Sequence, residues 1–176
     1  MMKKIIIILP LASTLLLFAL MLFIILEERD SSKPPSALLN KQIPSFVTSD
    51  LLDSKNSFDQ NITYKKNTVI NFFASWCDPC KTEHSILMKI KKDFPNTFFI
   101  GINHKDKKND ALKFINELGN PYDKIGIDSG KIAMDFGVYG LPETFIINKN
   151  GIIVFSYVGP ITKKIYNEKF KKFLSK

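Results

Sequence analysis

The sequence predicts an α/β fold, a central mixed sheet flanked by helices, preceded by one N-terminal transmembrane helix. Three observations carry this reading. A β-branched and aromatic run, Thr68–Phe73, feeds directly into a helical pattern. Asn150-Gly151 separates two apolar runs, the usual signal of an antiparallel hairpin. The stretch Ile5–Leu26 holds no charged residue.

That uncharged stretch has 22 residues, enough at about 1.5 Å rise each to cross a hydrocarbon core of about 30 Å. A cleaved signal peptide would have an apolar region of about 7–15 residues and a small-x-small site. Here Glu27-Glu28-Arg29-Asp30 follows instead, which favours an uncleaved anchor. Lys3 and Lys4 precede the span and acidic residues dominate just after it, so the N-terminus is expected in the cytoplasm. Residues 1–27 are thus read as a cytoplasmic stub and transmembrane signal-anchor. Residues 28–38, with Ser31-Ser32-Lys33-Pro34-Pro35-Ser36, form a polar linker. Residues 39–176 form one domain in a bacterial periplasm or an equivalent space, tethered to the inner membrane by a single pass.

Within the domain, Ile43–Val47 and the stretch around Ser57-Phe58 read as a small extra strand pair. Thr68–Phe73 reads as a buried central strand. Pro79 sits where a first helical turn tolerates proline, and Ile86, Leu87, Ile90 and Phe94 recur on one helical face. Cys77 and Cys80 therefore lie at a strand-to-helix junction. Thr97–Ile102 is the next strand, and Asn109–Leu118 a helix stopped by Gly119-Asn120-Pro121. Strand, helix, strand, helix implies parallel pairing. A short strand at Ile125–Ile127 and a short helix over Lys131–Phe136 lead into Gly137-Val138-Tyr139-Gly140-Leu141-Pro142, a tight loop. Thr144–Ile147 and Ile152–Tyr157 form the hairpin. Ile161, Ile165, Phe170, Phe173 and Leu174 mark a closing amphipathic helix.

The net charge of +8 raises nucleic acid or anionic lipid as partners. The lysines are spread as doublets such as Lys91-Lys92, Lys107-Lys108, Lys163-Lys164 and Lys171-Lys172, with no aromatic-basic patch beside them. A solvated surface, touching lipid headgroups near the anchor, fits better than a nucleic-acid interface. The only two cysteines stand three positions apart. A disulfide between them closes too small a loop to constrain the unfolded chain much, so its purpose is chemical.

A thiolate is the attacking species in disulfide exchange, and a free cysteine, with a pKa of about 8.5, is mostly protonated at neutral pH. A helix start favours a negative sulfur through its unpaired N–H groups and macrodipole. Cys77 is therefore the expected nucleophile, and Cys80, one turn further in, the residue that resolves the mixed disulfide. Asp78 between them is expected to oppose thiolate formation and make the reduced pair a better electron donor. A zinc site would need four ligands, for which the chain offers the two cysteines with His84 and His104. Covalent haem attachment would need histidine where Lys81 stands. A copper carrier using both thiols and His104 is a remaining alternative. No cofactor or metal is expected for the exchange chemistry itself.

The run V-I-N-F-F-A-S-W-C-D-P-C at Val69–Cys80 resembles the strand and active site of the thioredoxin superfamily. Lys81-Thr82-Glu83-His84, Gly101–Asp106, Leu118–Tyr122 and especially G-V-Y-G-L-P-E-T-F at Gly137–Phe145 look like the CcmG/DsbE proteins of cytochrome c maturation, in the TlpA-like branch. The resemblance implies a thioredoxin-like fold with an extra N-terminal strand pair and a central insertion. It further implies a monomeric periplasmic protein-disulfide reductase acting on apocytochrome c or a haem-ligation assembly protein. Electrons would come from a membrane protein of the DsbD or CcdA kind. Pro142 matches the family's cis-proline, where Leu-Pro alone leaves cis and trans open. The backbone of Leu141 would pair with an extended substrate segment, and Trp76, Asp78 and Pro79 would complete the substrate-binding surface. Glu83 and Glu143 match acidic residues placed near the cysteines, with proposed roles in tuning the thiols and relaying protons. For Glu83 an exposed carboxylate near a helix start is an equal reading of the residue itself. Asn71 stands where thioredoxins carry a buried aspartate, and it cannot accept a proton. The alternatives are a general extracytoplasmic disulfide reductase of the TlpA or ResA type, or a metal-binding delivery module.

Overall fold

The computed structural model describes residues 2–26 and 36–175. The chain divides into two compact units, Met1–Pro34 and Pro35–Lys176. The first holds helix α1, Met2–Leu26. Among the described residues no helix is long and apolar enough to cross a membrane. The side chains at both ends of the expected span, and the expected linker as far as residue 35, lie outside those residues.

In the second unit, β3 (Thr68–Phe73) is the centre of a five-stranded sheet, and all six of its residues are buried. A strand covered on both faces needs apolar residues at successive positions, which is why it reads as a continuous run and not an alternation. β4 (Phe98–His104) and β5 (Lys124–Asp128) add to it in parallel on one side. β6 (Glu143–Ile147) and β7 (Ile153–Val158) add antiparallel on the other, giving the order β5-β4-β3-β6-β7. The mixed sheet of the α/β reading is thus observed.

Helix α2 (Asp78–Asp93) buries Cys80, Glu83, His84, Ile86, Leu87 and Ile90. Together with α3 (Lys108–Leu118) it covers one face, where Val69, Phe73, Leu87, Ile90, Phe114 and Phe170 pack. On the other face Ile43, Phe46, Ile70, Phe72, Phe136 and Phe145 form a second core under the short helix α4 (Lys131–Asp135).

The small strand pair exists, but with a shifted first strand. β1 is Val47–Ser49, antiparallel to β2, Ser57–Asp59. Ile43 and Phe46 instead insert into the core around Pro44, which lacks a ladder donor, while Gln42 makes an isolated bridge to Ile152. Thr48 packs on Gly126, where an added Cβ would stand 2.5 Å from Thr48 Cγ2, so this approach to β5 needs glycine. The closing segment is helical but not uniform: α5 (Lys163–Ile165) passes through a π-turn, Tyr166–Phe170, into α6 (Lys171–Leu174).

Candidate active site

β3 ends at Phe73, and the loop Ala74-Ser75-Trp76 delivers Cys77 to the start of α2. Asp106 holds that loop: Oδ2 accepts the Ser75 N–H at 2.6 Å and Oδ1 accepts the Ser75 hydroxyl at 2.8 Å. Trp76, 58% exposed, donates its indole N–H to the Lys105 carbonyl at 3.1 Å, which fixes its ring beside the pair. Cys77 is the N-cap of α2, and its sulfur accepts the Cys80 N–H at 3.2 Å. The cysteines form a disulfide with Cα atoms 5.3 Å apart. When the bond opens, the sulfur of Cys77 stays at the donor end of a 16-residue helix, where a negative charge is stabilised.

Asp78, read in the sequence as a repulsive neighbour of the thiolate, points into solvent with its side chain 87% exposed and pairs with Lys81 at 2.8 Å. The Lys81 hydrogen bond and charge hold its carboxyl below the usual range. It is therefore ionised, but water and Lys81 screen much of its effect on Cys77. Pro79 occupies the first turn of α2, as its missing N–H favours.

One turn along α2 from Cys80 lies a buried polar cluster. Glu83 is 1% exposed. Its Oε1 accepts from Asn71 Nδ2 at 2.9 Å and its Oε2 from the Ile161 N–H at 2.9 Å. Burial pushes its pKa up to about 7, against the pull of the Ile161 and Asn71 hydrogen bonds. A carboxyl that titrates near neutrality behind a reacting sulfur can take up and release protons under working conditions. The reading of Glu83 as an exposed carboxylate is thereby excluded. The sequence does contain the signal: Glu83 lies three residues after Cys80 and four before Leu87, inside the apolar stripe of α2.

Asn71, Tyr122 and Thr144 complete the cluster, and the sequence alone assigns none of them a part in its proton chemistry. His84 is also buried on α2, where burial holds its pKa down, and its Nε2 meets the Gly119 carbonyl at 2.8 Å, closing the end of α3.

Glu143 has different surroundings. In the register of β3 with β6 it lies directly opposite Phe72, whereas Asn71 lies opposite Thr144. Opposed residues share a sheet face and neighbours alternate, so the sheet lies between Glu143 and the Asn71–Glu83 cluster. Glu143 is buried, and its Oε2 accepts the Tyr139 N–H at 2.9 Å. It thus shapes the loop that holds Leu141-Pro142, whose peptide bond is cis. That loop forms one wall of a groove of about 390 Å³ with Trp76, His104, Met134, Tyr139 and Leu141 in its lining. His104 Nδ1 donates to Asp128 Oδ2 at 2.7 Å. Among the described residues no group of three or more His, Cys, Asp or Glu side chains is placed to hold a metal ion.

The comparisons with known proteins agree with this chemistry. Residues 38–173 match the Redoxin family. The chain is 37% identical over 134 residues to the thiol:disulfide interchange protein DsbE of Vibrio cholerae, covering 76% of this chain and 72% of that one. It is 49% identical over 98 residues to the thiol:disulfide interchange protein CycY of Rhizobium leguminosarum bv. viciae, covering 55% and 52%. The crystal structure of a thiol:disulfide interchange protein of the thioredoxin family from Chlorobium tepidum superposes with a TM-score of 0.65 at 22% identity, over 82% of this chain and 99% of that one. With a redoxin domain, a Cys77–Cys80 disulfide at a helix start and this degree of identity, the chain is a thiol:disulfide oxidoreductase and belongs to the CcmG/DsbE family.

Proposed function

We propose that the chain is a membrane-anchored periplasmic reductant that keeps the haem-binding cysteines of apocytochrome c, or of a haem-ligation partner, as thiols before haem attachment. The observation that carries the mechanism is the cysteine pair at the start of α2 above a buried carboxyl that titrates near neutrality. Cys77, the more accessible end of the pair, attacks a substrate disulfide as the thiolate. The attacked bond breaks, and one substrate sulfur leaves and takes a proton. Cys80 then gives its proton to Glu83 and attacks Cys77, which releases the second substrate sulfur. Two electrons have passed to the substrate and the Cys77–Cys80 disulfide remains. A membrane thiol-transfer protein of the DsbD or CcdA kind restores the dithiol. The uncharged Ile5–Leu26 segment between Lys3-Lys4 and an acidic flank supports the anchor and the periplasmic side.

Trp76 and Leu141 line the groove, and together with Pro79 and Pro142 they receive the substrate segment, with the Leu141 backbone offering strand-like pairing. Asp78 contributes an ionised group at the rim. The test is trapping. In cells that make c-type cytochromes, Cys80→Ala leaves Cys77 stalled as a mixed disulfide, and the captured protein is an apocytochrome or a haem-ligation protein. Capture of many unrelated extracytoplasmic proteins, with none of these among them, sinks the cytochrome reading in favour of a general reductase.

A further inference from the structure

Asn71 is fully buried at the centre of β3, and its amide is held at three points. Oδ1 accepts the Tyr122 hydroxyl at 2.7 Å. Nδ2 donates to Thr144 Oγ1 at 3.0 Å and to Glu83 Oε1 at 2.9 Å. Burial, followed by the nearby Glu83 charge, holds the Tyr122 phenol protonated, so this hydroxyl is available as a donor. A donor on Oδ1 settles which end of the amide faces Glu83: the nitrogen does. Tyr122 is itself fixed by stacking on Phe73, with ring centroids 5.1 Å apart.

The two oxygens of Glu83 therefore receive N–H groups from opposite sides, Asn71 on β3 and Ile161 after β7. The titratable groups that face it are Tyr122, through Asn71, and Cys80, one turn earlier on the same face of α2. The Thr144 hydroxyl and the Ile161 amide are neutral.

We propose that Asn71, oriented by Tyr122, is a positioning residue that holds the Glu83 carboxylate toward Cys80. This rests on Glu83 being the proton acceptor of the resolving step. In that step the Cys80 Sγ–H proton passes to Glu83 and the Cys80 sulfur bonds to the Cys77 sulfur. The Cys77–substrate bond breaks, and the substrate sulfur leaves with its electron pair. An amide suits the position because it donates to the carboxylate without competing for the proton. An aspartate there would set two carboxyls side by side, and like charges so close cannot both ionise.

The test uses the full chain in detergent micelles, with Cys77 loaded with 5-thio-2-nitrobenzoate. Release of the coloured thiol as Cys80 resolves the adduct is followed against pH. The carbonyl stretch of the protonated Glu83 carboxyl is titrated in parallel by infrared spectroscopy. The wild-type profile turns near the Glu83 value of about 7, and Glu83→Gln removes both the turn and the band. Asn71→Leu moves both upward by about one pH unit, because a hydrogen bond to the ionised form is lost, and slows release at pH 7 about fivefold. Tyr122→Phe, one oxygen smaller, moves them the same way by less. Asn71→Asp turns one titration into two.

A profile unchanged in Glu83→Gln overturns the proton-acceptor reading. A profile lost in Glu83→Gln but unmoved in Tyr122→Phe and Asn71→Asp leaves that reading standing and overturns the positioning role. A purely structural Asn71 would lower stability in all three variants without moving the infrared titration.

Discussion

Glu143 Oε2 accepts the backbone N–H of Tyr139 at 2.9 Å, so a buried carboxylate spans the loop that contains the cis Leu141–Pro142 bond. Glu83 bonds to Asn71 on the other side of the sheet. Two glutamates that look alike in the sequence therefore lie on opposite faces of the sheet, one tied to the groove loop and one to Asn71.

Glu143→Ala removes the acceptor and loosens the groove wall. It is expected to raise KM for a protein disulfide roughly tenfold, the size of one hydrogen bond to a charged group, while the pH midpoint stays in place. Glu143→Gln keeps an acceptor for Tyr139 and loses much less. Steady-state reduction of a protein disulfide across pH checks this, and a midpoint displaced in Glu143→Ala contradicts it.

Glu83 makes stability depend on pH with a definite sign. Its native pKa of about 7 lies above its ordinary value of 4.5, so the folded state binds this proton more tightly than the unfolded state. The stabilisation is complete below pH 4.5, is lost as pH rises toward 7, and amounts to about 3 kcal/mol across that window. Urea unfolding of the oxidised protein at pH 5 and pH 8 reads this directly. The stability of Glu83→Gln relative to the wild type should rise between the two pH values. A constant difference rules out a raised pKa.

Gly101 lies under the rings that orient Asn71. A Cβ there would stand 2.9 Å from both Phe73 Cε1 and Tyr122 Cδ2. Gly101→Ala therefore forces the stacked pair apart at a cost of about 1–3 kcal/mol. Thermal unfolding monitored by circular dichroism should show a Tm several degrees lower. An unchanged Tm means that the rings have room to yield.

Asp106 accepts from Ser75 N, Ser75 Oγ, Asn103 Nδ2 and Lys107 N. Asp106→Ala leaves these donors without their charged partner and frees the loop before Cys77, at a cost on the order of 2 kcal/mol. Trp76 is the only tryptophan in the chain, so its fluorescence reports on this loop. The variant should show a smaller difference in emission between oxidised and reduced protein, and Asp106→Asn should retain more of it. Equal responses in wild type and Asp106→Ala mean that the loop does not depend on this carboxylate.

Much of the fold is legible in local pattern. Thr68–Phe73 is a β-branched and aromatic run broken only by Asn71, α2 has its apolar stripe, and Asn150-Gly151 sets the turn between β6 and β7, so the neighbours along the chain settle each element. Where local pattern and packing conflict, packing wins. Ile43 and Phe46 look like part of a strand, yet the second core captures both side chains and the strand begins only at Val47.

The same division holds at the site. Its chemistry is written in adjacent residues: two cysteines a helical turn apart, placed by Pro79 and a preceding strand at a helix start, can only be a local dithiol, because spacing and capping are properties of near neighbours. What surrounds them is set by long-range packing. Asn71 meets Tyr122 and Thr144 across sequence separations of 51 and 73 residues, and its neighbour Glu83 meets Ile161 across 78. The raised pKa of Glu83 comes from burial by all of these elements together, and desolvation depends on what closes over a group rather than on what precedes it in the chain.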